Sequence, residues 1–471
     1  MLQILSTLLP VLALIVFMSV CKWSGDKSSL YSLGITIIIA LAIFNIPIGV
    51  IGNTLLYSSL RAIVTILSVI WMAVFSYNIL LASGKIEILK HQLSTISTDK
   101  SVQVLLITWG FGGLLEGMAG YGTSVAIPAA ILVTLGFKPL FAVLLSLIAN
   151  SEPTTFGAVG IAETVLAEET GCTVSELCKD TIIQLLPFMF LIPITLAILA
   201  DKSRKNLFKN ILLGTWAGLA SAIGQSLTAY YLGPEMPAIF GSICSIIAVI
   251  LWSKYIHVEK TRGTHGYTAK QIWQAWSVYG LIVLFILLAI PLDFNHTSVL
   301  LFCGAFIGGQ IQGVRMQQQI ALLGKTLVQI RSTIIMVIAL IGISAIMEIA
   351  GMISLLSESL VLVAGNGYPF WSPIVGEVGT FITGSGTSAN ILFGKLQVGI
   401  ATHLQIDPSW LAAANTAGTT AGKIISPQSI AIAASACNLQ GKEGRILKLA
   451  FPYALVYGIL LGIIVFLFIY L

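Results

Sequence analysis

The sequence predicts an all-α polytopic membrane protein made of two inverted-topology repeats. It would have about 12 transmembrane helices, two re-entrant hairpins and two discontinuous helices. Three observations predict this. The chain of 471 residues is 57% hydrophobic and only 9% charged, with a mean hydropathy of +0.96, where a soluble domain carries about 25% charged residues. Apolar runs of about 20 residues, each able to cross about 30 Å of hydrocarbon, recur from end to end. Two motifs also occur twice at nearly one offset. Gly120-Tyr-Gly122-Thr123-Ser124-x-x-Ile127 reads against Gly384-Ser-Gly386-Thr387-Ser388-x-x-Ile391, and Ala149-Asn150-x-x-x-Thr154-Thr155-x-Gly157 against Ala414-Asn415-x-x-x-Thr419-Thr420-x-Gly422. Gly-interrupted apolar segments at matching places in two halves are the best sequence pointer to a transporter's binding site.

Residues 1–20 are apolar but lack a basic leader and a small-residue cleavage site, so they read as a first membrane helix. Further spans are expected at about 29–51 and 60–83, followed by a polar, surface-lying stretch Lys85–Lys100. The net charge of +5 lies in loops, so it speaks to orientation and not to nucleic acid. Lys and Arg favour the cytoplasmic side, which puts the N-terminus outside and the loops around Lys22, Lys27 and Lys85–Lys100 inside.

Charge parity then decides the centre. A full crossing over 103–137 would put the loop Asp201–Lys209, with Lys202, Arg204, Lys205 and Lys209, on the outside. A hairpin over 103–137 that enters from inside and turns at Gly120–Ser124 avoids this. A crossing over 139–166, broken at Asn150–Gly157, and a return over 181–200 follow it. The first repeat is thus 1–200. A linking pair at about 206–228 and 237–253, with basic loops, fills 201–271. The second repeat, 272–471, has spans at about 272–291, 297–313 and 326–349 and a partial helix over 350–367. A hairpin over about 368–404 tipped at Gly384–Ser388 comes next, then a broken helix over 408–437 interrupted at Asn415–Gly422, and a last span at 449–470. The second hairpin enters from outside, and both termini are expected outside.

Tips and breaks expose backbone groups near the midplane. Half-helix N-termini offer N–H groups to an anion, and freed carbonyls and hydroxyls can hold a cation. The tips supply Gly122, Thr123, Ser124, Thr387, Ser388 and Asn390. The breaks supply Asn150, Thr154, Thr155, Asn415, Thr416, Thr419 and Thr420. These neutral donors and acceptors suit a small hydroxylated anion. Close packing of small residues explains one such motif, but four in matched pairs favour a site. Ionisable groups inside apolar spans are functional by default. Lys423 is the expected partner of a substrate carboxylate, and Glu116 and Glu152 are candidates for proton coupling. Glu377 and Glu348 read as structural and Arg331 as an interfacial anchor. The six cysteines and five histidines show no metal-ligand spacing, and no cofactor or metal is expected. No nucleophile–base pair or G-x-S-x-G elbow points to an enzyme.

The stretches FGGLLEGMAGYGTSVAIPAAILVTLGFKPL and ANTAGTTAGKIISPQSIAIAA, with FGAVGI at Phe156–Ile161 and TGSGTSAN at Thr383–Asn390, closely resemble the L-lactate permease family. The resemblance covers roughly 105–165 and 375–445. It implies a bacterial inner-membrane secondary transporter that takes up L-lactate or glycolate with protons, by elevator-type alternating access. Three departures stand out. Gly386 replaces an acid in the family's TGSDTS. The first tip reads GYGTSVA in place of GFGAPVA. The first break reads NSEPTTFG in place of NTAPVAFG, which adds Glu152. The alternatives are a sodium-coupled transporter of another small carboxylate and a passive anion channel. The expected partners are a small carboxylate, membrane lipid and a second copy as a homodimer, with no nucleic acid.

Overall fold

Backbone N–H and C=O groups find no water in hydrocarbon, so each spanning segment must satisfy them itself. Every regular element among the described residues is accordingly helical. The computed structural model describes residues 2–120, 122–201, 203–256, 266–289, 292 and 296–470. Tyr121, Lys202, His257 and His265, all touched by the sequence reading, lie outside the described residues. Seven described helices are long and apolar enough to cross a membrane, and several shorter apolar helices accompany them.

The chain starts with α1 (Leu2–Ser19), α2 (Gly25–Ala42) and α3 (Ile48–Ala82). This differs from the expected spans 29–51 and 60–83. Asn45 takes a left-handed φ of 55°, and Pro47, extended at ψ 140°, cannot continue a helix. The chain therefore turns before residue 48 and α3 runs on for 35 residues, including a π turn at Ile63–Leu67. The amphipathic α4 (Ile86–Ser94) follows.

Next, α5 (Lys100–Met118) and α6 (Thr123–Thr134) fold back on each other. Their turn holds Gly120 at φ 62° and Gly122 at φ 80°, conformations that glycine adopts without steric cost. α7 (Pro139–Ala149) then gives way to a short 3-10 turn, Glu152–Phe156, and to α8 (Gly157–Thr170). The start of α8 is left-handed at Ala158 (φ 46°), Val159 (φ 60°) and Gly160 (φ 71°). This costs about 1–2 kcal/mol for each non-glycine residue, and such strain clusters at functional sites. α9 (Val174–Ala200), α10 (Leu207–Tyr231) and α11 (Pro237–Tyr255) complete this part.

In the second half come α12 (Ala269–Ala289), α13 (Thr297–Ile311), α14 (Met316–Gln329), α15 (Arg331–Ile349) and α16 (Met352–Ala364). α14 is an extra amphipathic helix. Its polar Gln317–Gln319 and Lys325 interrupt the apolar pattern, so the expected span 326–349 starts only at Arg331. α17 (Tyr368–Thr383) and α18 (Gly386–Leu404) form a second helical pair, turned at Gly384 (φ 77°). α19 (Pro408–Ile425), α20 (Pro427–Ala436) and α21 (Glu443–Tyr470) close the chain.

The second break is not at Asn415–Gly422, as the sequence suggested. α19 runs unbroken through those residues and ends at Ser426, whose ψ of 123° is the extended conformation that a following proline imposes. The glycines of that motif serve helix packing instead. A Cβ at Gly418 or Gly422 would collide with the carbonyl of Pro373 or Glu377 on α17, and one at Gly376 with that of Asn415. Small residues let the two backbones touch.

Candidate functional site

Both helical turns, the first break and the α19–α20 junction converge on one cavity of about 80 Å³. At about 10–15 Å³ per water-sized group, it has room for several heavy atoms. Glu116 of α5, with Gly120 and Gly122, forms one wall. Thr154, Gly157 and Ala158 of the first break form another. The second turn, Gly384–Ser388, lines the cavity together with Lys423 of α19 and Gln428 and Ser429 of α20. Ile70 of α3 and Thr333 and Met336 of α15 close it from outside this group.

Of the residues expected to bind substrate, Gly122, Thr154, Thr387, Ser388 and Lys423 line the cavity. Thr123 and Ser124 sit one layer back. Thr123 donates to the Gly120 carbonyl at 2.9 Å and braces the turn, while the Ser124 hydroxyl donates to Oε2 of Glu116. Asn150 is buried off the cavity, its amide donating to Thr154 Oγ1 at 3.3 Å. Thr155 is fully buried with an unpartnered hydroxyl.

Asn390, Asn415 and Thr416 belong to an internal network. The Asn390 amide donates to Thr416 Oγ1 at 2.8 Å and to the Ala162 carbonyl at 3.0 Å. Asn415 in turn donates to Asn390 Oδ1 at 3.0 Å, and Gln397 donates to Asn415 Oδ1 at 3.3 Å. These side chains join α8, α18 and α19. Thr419 and Thr420 return their hydroxyls to helix carbonyls at 2.6 and 2.5 Å.

Four polar cavity residues escaped the sequence reading. Gln428 and Ser429 lie in the quoted GKIISPQS motif, where the proline was the available signal. Ser385 sits inside the second turn, and its hydroxyl accepts from the Ser388 N–H at 3.4 Å. Thr333 carries no such signal, because only the packing of α15 brings it to the cavity.

Two buried charges face the cavity. Lys423, 7% exposed, donates to the Gly384 carbonyl at 3.3 Å. No carboxylate pairs with it among the described residues. Glu116 is also buried, and Gly157 is packed so closely that a Cβ there would lie 2.8 Å from its Oε1. Glu152 does not line the cavity. It is fully buried, accepts from the Gln225 amide of α10 at 3.1 Å through Oε2 and leaves Oε1 unpartnered. At Gly386, where an acid would follow the family pattern, a Cβ would stand 2.9 Å from Thr419 Oγ1, so any side chain there requires Thr419 to shift.

Another buried carboxylate lies elsewhere with every oxygen matched. Glu169 near the end of α8 meets Arg61 of α3 at 3.1 Å through Oε1 and Lys395 of α18 at 3.1 Å through Oε2. Ser344 of α15 adds a hydrogen bond at 3.0 Å, and Lys395 also pairs with Glu348 at 2.6 Å.

The L-lactate permease family model matches residues 3–297 and 292–471. An L-lactate permease of Streptococcus iniae is 36% identical over 444 residues, covering 88% of this chain and 94% of that one. The glycolate permease GlcA of Escherichia coli (strain K12) is 31% identical, covering 98% of this chain and 95% of its own. Among solved structures, the YdaH transporter of Alcanivorax borkumensis, described as having an unusual topology, matches with a TM-score of 0.54 at 14% identity, over 88% of this chain and 87% of that one. This last likeness is one of fold.

Proposed function

This chain belongs to the L-lactate permease family and is a multi-pass membrane transporter, not an enzyme. From that premise we propose that it takes up L-lactate or a related 2-hydroxymonocarboxylate such as glycolate, by proton symport across the bacterial inner membrane. The observation that carries the substrate class is Lys423, a buried cation on a small polar cavity with no carboxylate partner among the described residues. An isolated buried charge is costly, and a monocarboxylate would balance it. The positive end of α18, at Gly386–Ser388, supports the same reading. Small lactate-like acids fit the cavity size.

In this reading the pairs α5–α6 and α17–α18 are re-entrant hairpins of two inverted repeats, and both termini face outward. The hairpins with α7–α8 and α19–α20 carry the substrate and move against α3 and α15 as an elevator. Support for a moving boundary comes from the cavity itself, which is walled by the hairpin group on most sides and by Ile70, Thr333 and Met336 on the last. For coupling we favour Glu152, fully buried with one oxygen unpartnered. Such a group is cheapest in the membrane when it carries a proton.

The test is uptake of labelled L-lactate into proteoliposomes under an imposed inward proton gradient, then an inward sodium gradient. Proton-driven, saturable accumulation is expected, and it should collapse in Glu152→Gln. Accumulation driven only by sodium would transfer the coupling to that ion. Flux that never saturates or concentrates would make the protein a channel.

A further inference from the structure

Two side chains of opposite sign line the cavity. Lys423 lines it together with the start of α18, where the Ser388 hydroxyl is buried and unpartnered. Glu116 is the one carboxylate among the described residues that lines it. A substrate carboxylate is attracted to Lys423 and repelled by Glu116, so a bound acid is oriented with its carboxylate on Lys423 and the rest of the molecule toward Glu116.

The surroundings of Glu116 define what that rest can be. The Ser124 hydroxyl has one hydrogen and gives it to Oε2. Oε1 accepts no hydrogen bond among the described residues, and Gly157 and Gly120 stand against it, an added Cβ lying 2.8 and 3.7 Å away. A hydrogen-bond acceptor is thus left without a donor on a residue that lines the cavity. We infer that Glu116 is the residue that selects the substituent at carbon 2. Its Oε1 accepts a hydrogen bond from a 2-hydroxyl, so hydroxy acids are taken and 2-oxo and unsubstituted acids of the same length are disfavoured. A 2-oxo group offers only lone pairs to this acceptor, and an unsubstituted acid leaves it unpaired. A site built to hydrogen-bond a substrate hydroxyl rejects analogues that lack it far more strongly than an apolar pocket rejects a methylene. This assignment rests on the monocarboxylate reading above and adds the specificity determinant to it.

The experiment is ligand-induced thermal stabilisation of the purified full-length protein by lactate, pyruvate and propionate, which reads affinity whether or not a variant still transports. The wild type should prefer lactate over both others. In Glu116→Gln the amide can donate as well as accept, so the lactate-to-pyruvate ratio should fall by about tenfold to a hundredfold, the range of a hydrogen bond to a charged group. Gly157→Ala, whose Cβ intrudes on Oε1, should lower the lactate-to-propionate ratio and serves if the first variant does not fold. A wild type that selects lactate, with ratios unchanged in both variants, would overturn the role of Glu116 and leave the transport reading standing. A wild type stabilised by none of the three acids would overturn both.

Discussion

Among the described residues, two clusters of buried charge are built in opposite ways. Around Glu169, acid and base are matched. Arg61 and Lys395 each take one oxygen, Ser344 adds a hydrogen bond, and Lys395 reaches on to Glu348. Around the cavity they are not. Among the described residues, Lys423 has only a backbone carbonyl and Glu116 only a serine hydroxyl as partner. The first cluster fastens α8 and α18 to α3 and α15. The second leaves charges unsatisfied where a ligand enters. Burial alone does not mark a site in a membrane protein, because both clusters are buried; the unfilled partner does.

Substitutions can break this contrast, beginning with the largest effect. Glu169→Ala removes the buried acid that Arg61 and Lys395 share; Arg61 keeps Glu168 and Lys395 keeps Glu348, so the cost should lie near the low end of the about 3–5 kcal/mol for losing one partner of a buried ion pair. The melting temperature in detergent should fall steeply. A drop no larger than that of a surface variant would show the cluster to be solvated. Lys423→Ala should do the reverse. It removes an unpaired buried charge, so the melting temperature should hold or rise, while lactate uptake falls by about tenfold to a hundredfold, as loss of a charged hydrogen bond predicts. If stability fell with uptake, Lys423 would be structural and the contrast would fail.

Gly384→Ala sharpens the geometry of the second turn. The left-handed φ of 77° costs alanine about 1–2 kcal/mol, and the new Cβ strikes Gln428. The KM for uptake should rise severalfold with modest loss of stability. Ser344→Ala is the mildest. It removes one hydrogen bond to an already paired carboxylate, worth about 1 kcal/mol, and should lower the melting temperature slightly without changing the KM.

The local chemistry of the turns was readable in the sequence. Gly120, Gly122 and Gly384 lie in the expected tips and take positive φ there, whereas the restarts at Pro47 and Pro427 were passed over by the expected spans. The duplicated motifs led to the cavity because Gly122, Thr154, Thr387, Ser388 and Lys423 all lie on it. Three things were not readable. The second motif reads as a helix break, yet Gly418 and Gly422 serve contact with α17, because one glycine pattern permits either a bend or a close approach. Asn390 and Asn415 look like ligands, and only their mutual hydrogen bonds show that they are already satisfied. Glu152 sits within the motif but turns toward Gln225 of α10, a residue far away in the chain.

The sequence by itself therefore determined the class of molecule and the two glycine-rich tips. These follow from composition, hydropathy and the backbone freedom of glycine, and all of them act over a few residues. Only the tertiary structure decided which polar groups remain free. Hydrogen bonds and ion pairs are made across helices that lie far apart in sequence, such as Arg61 with Glu169 or Lys423 with Gly384. A charge is a structural partner or a ligand's partner according to what stands opposite it, and that is fixed only when the chain is folded.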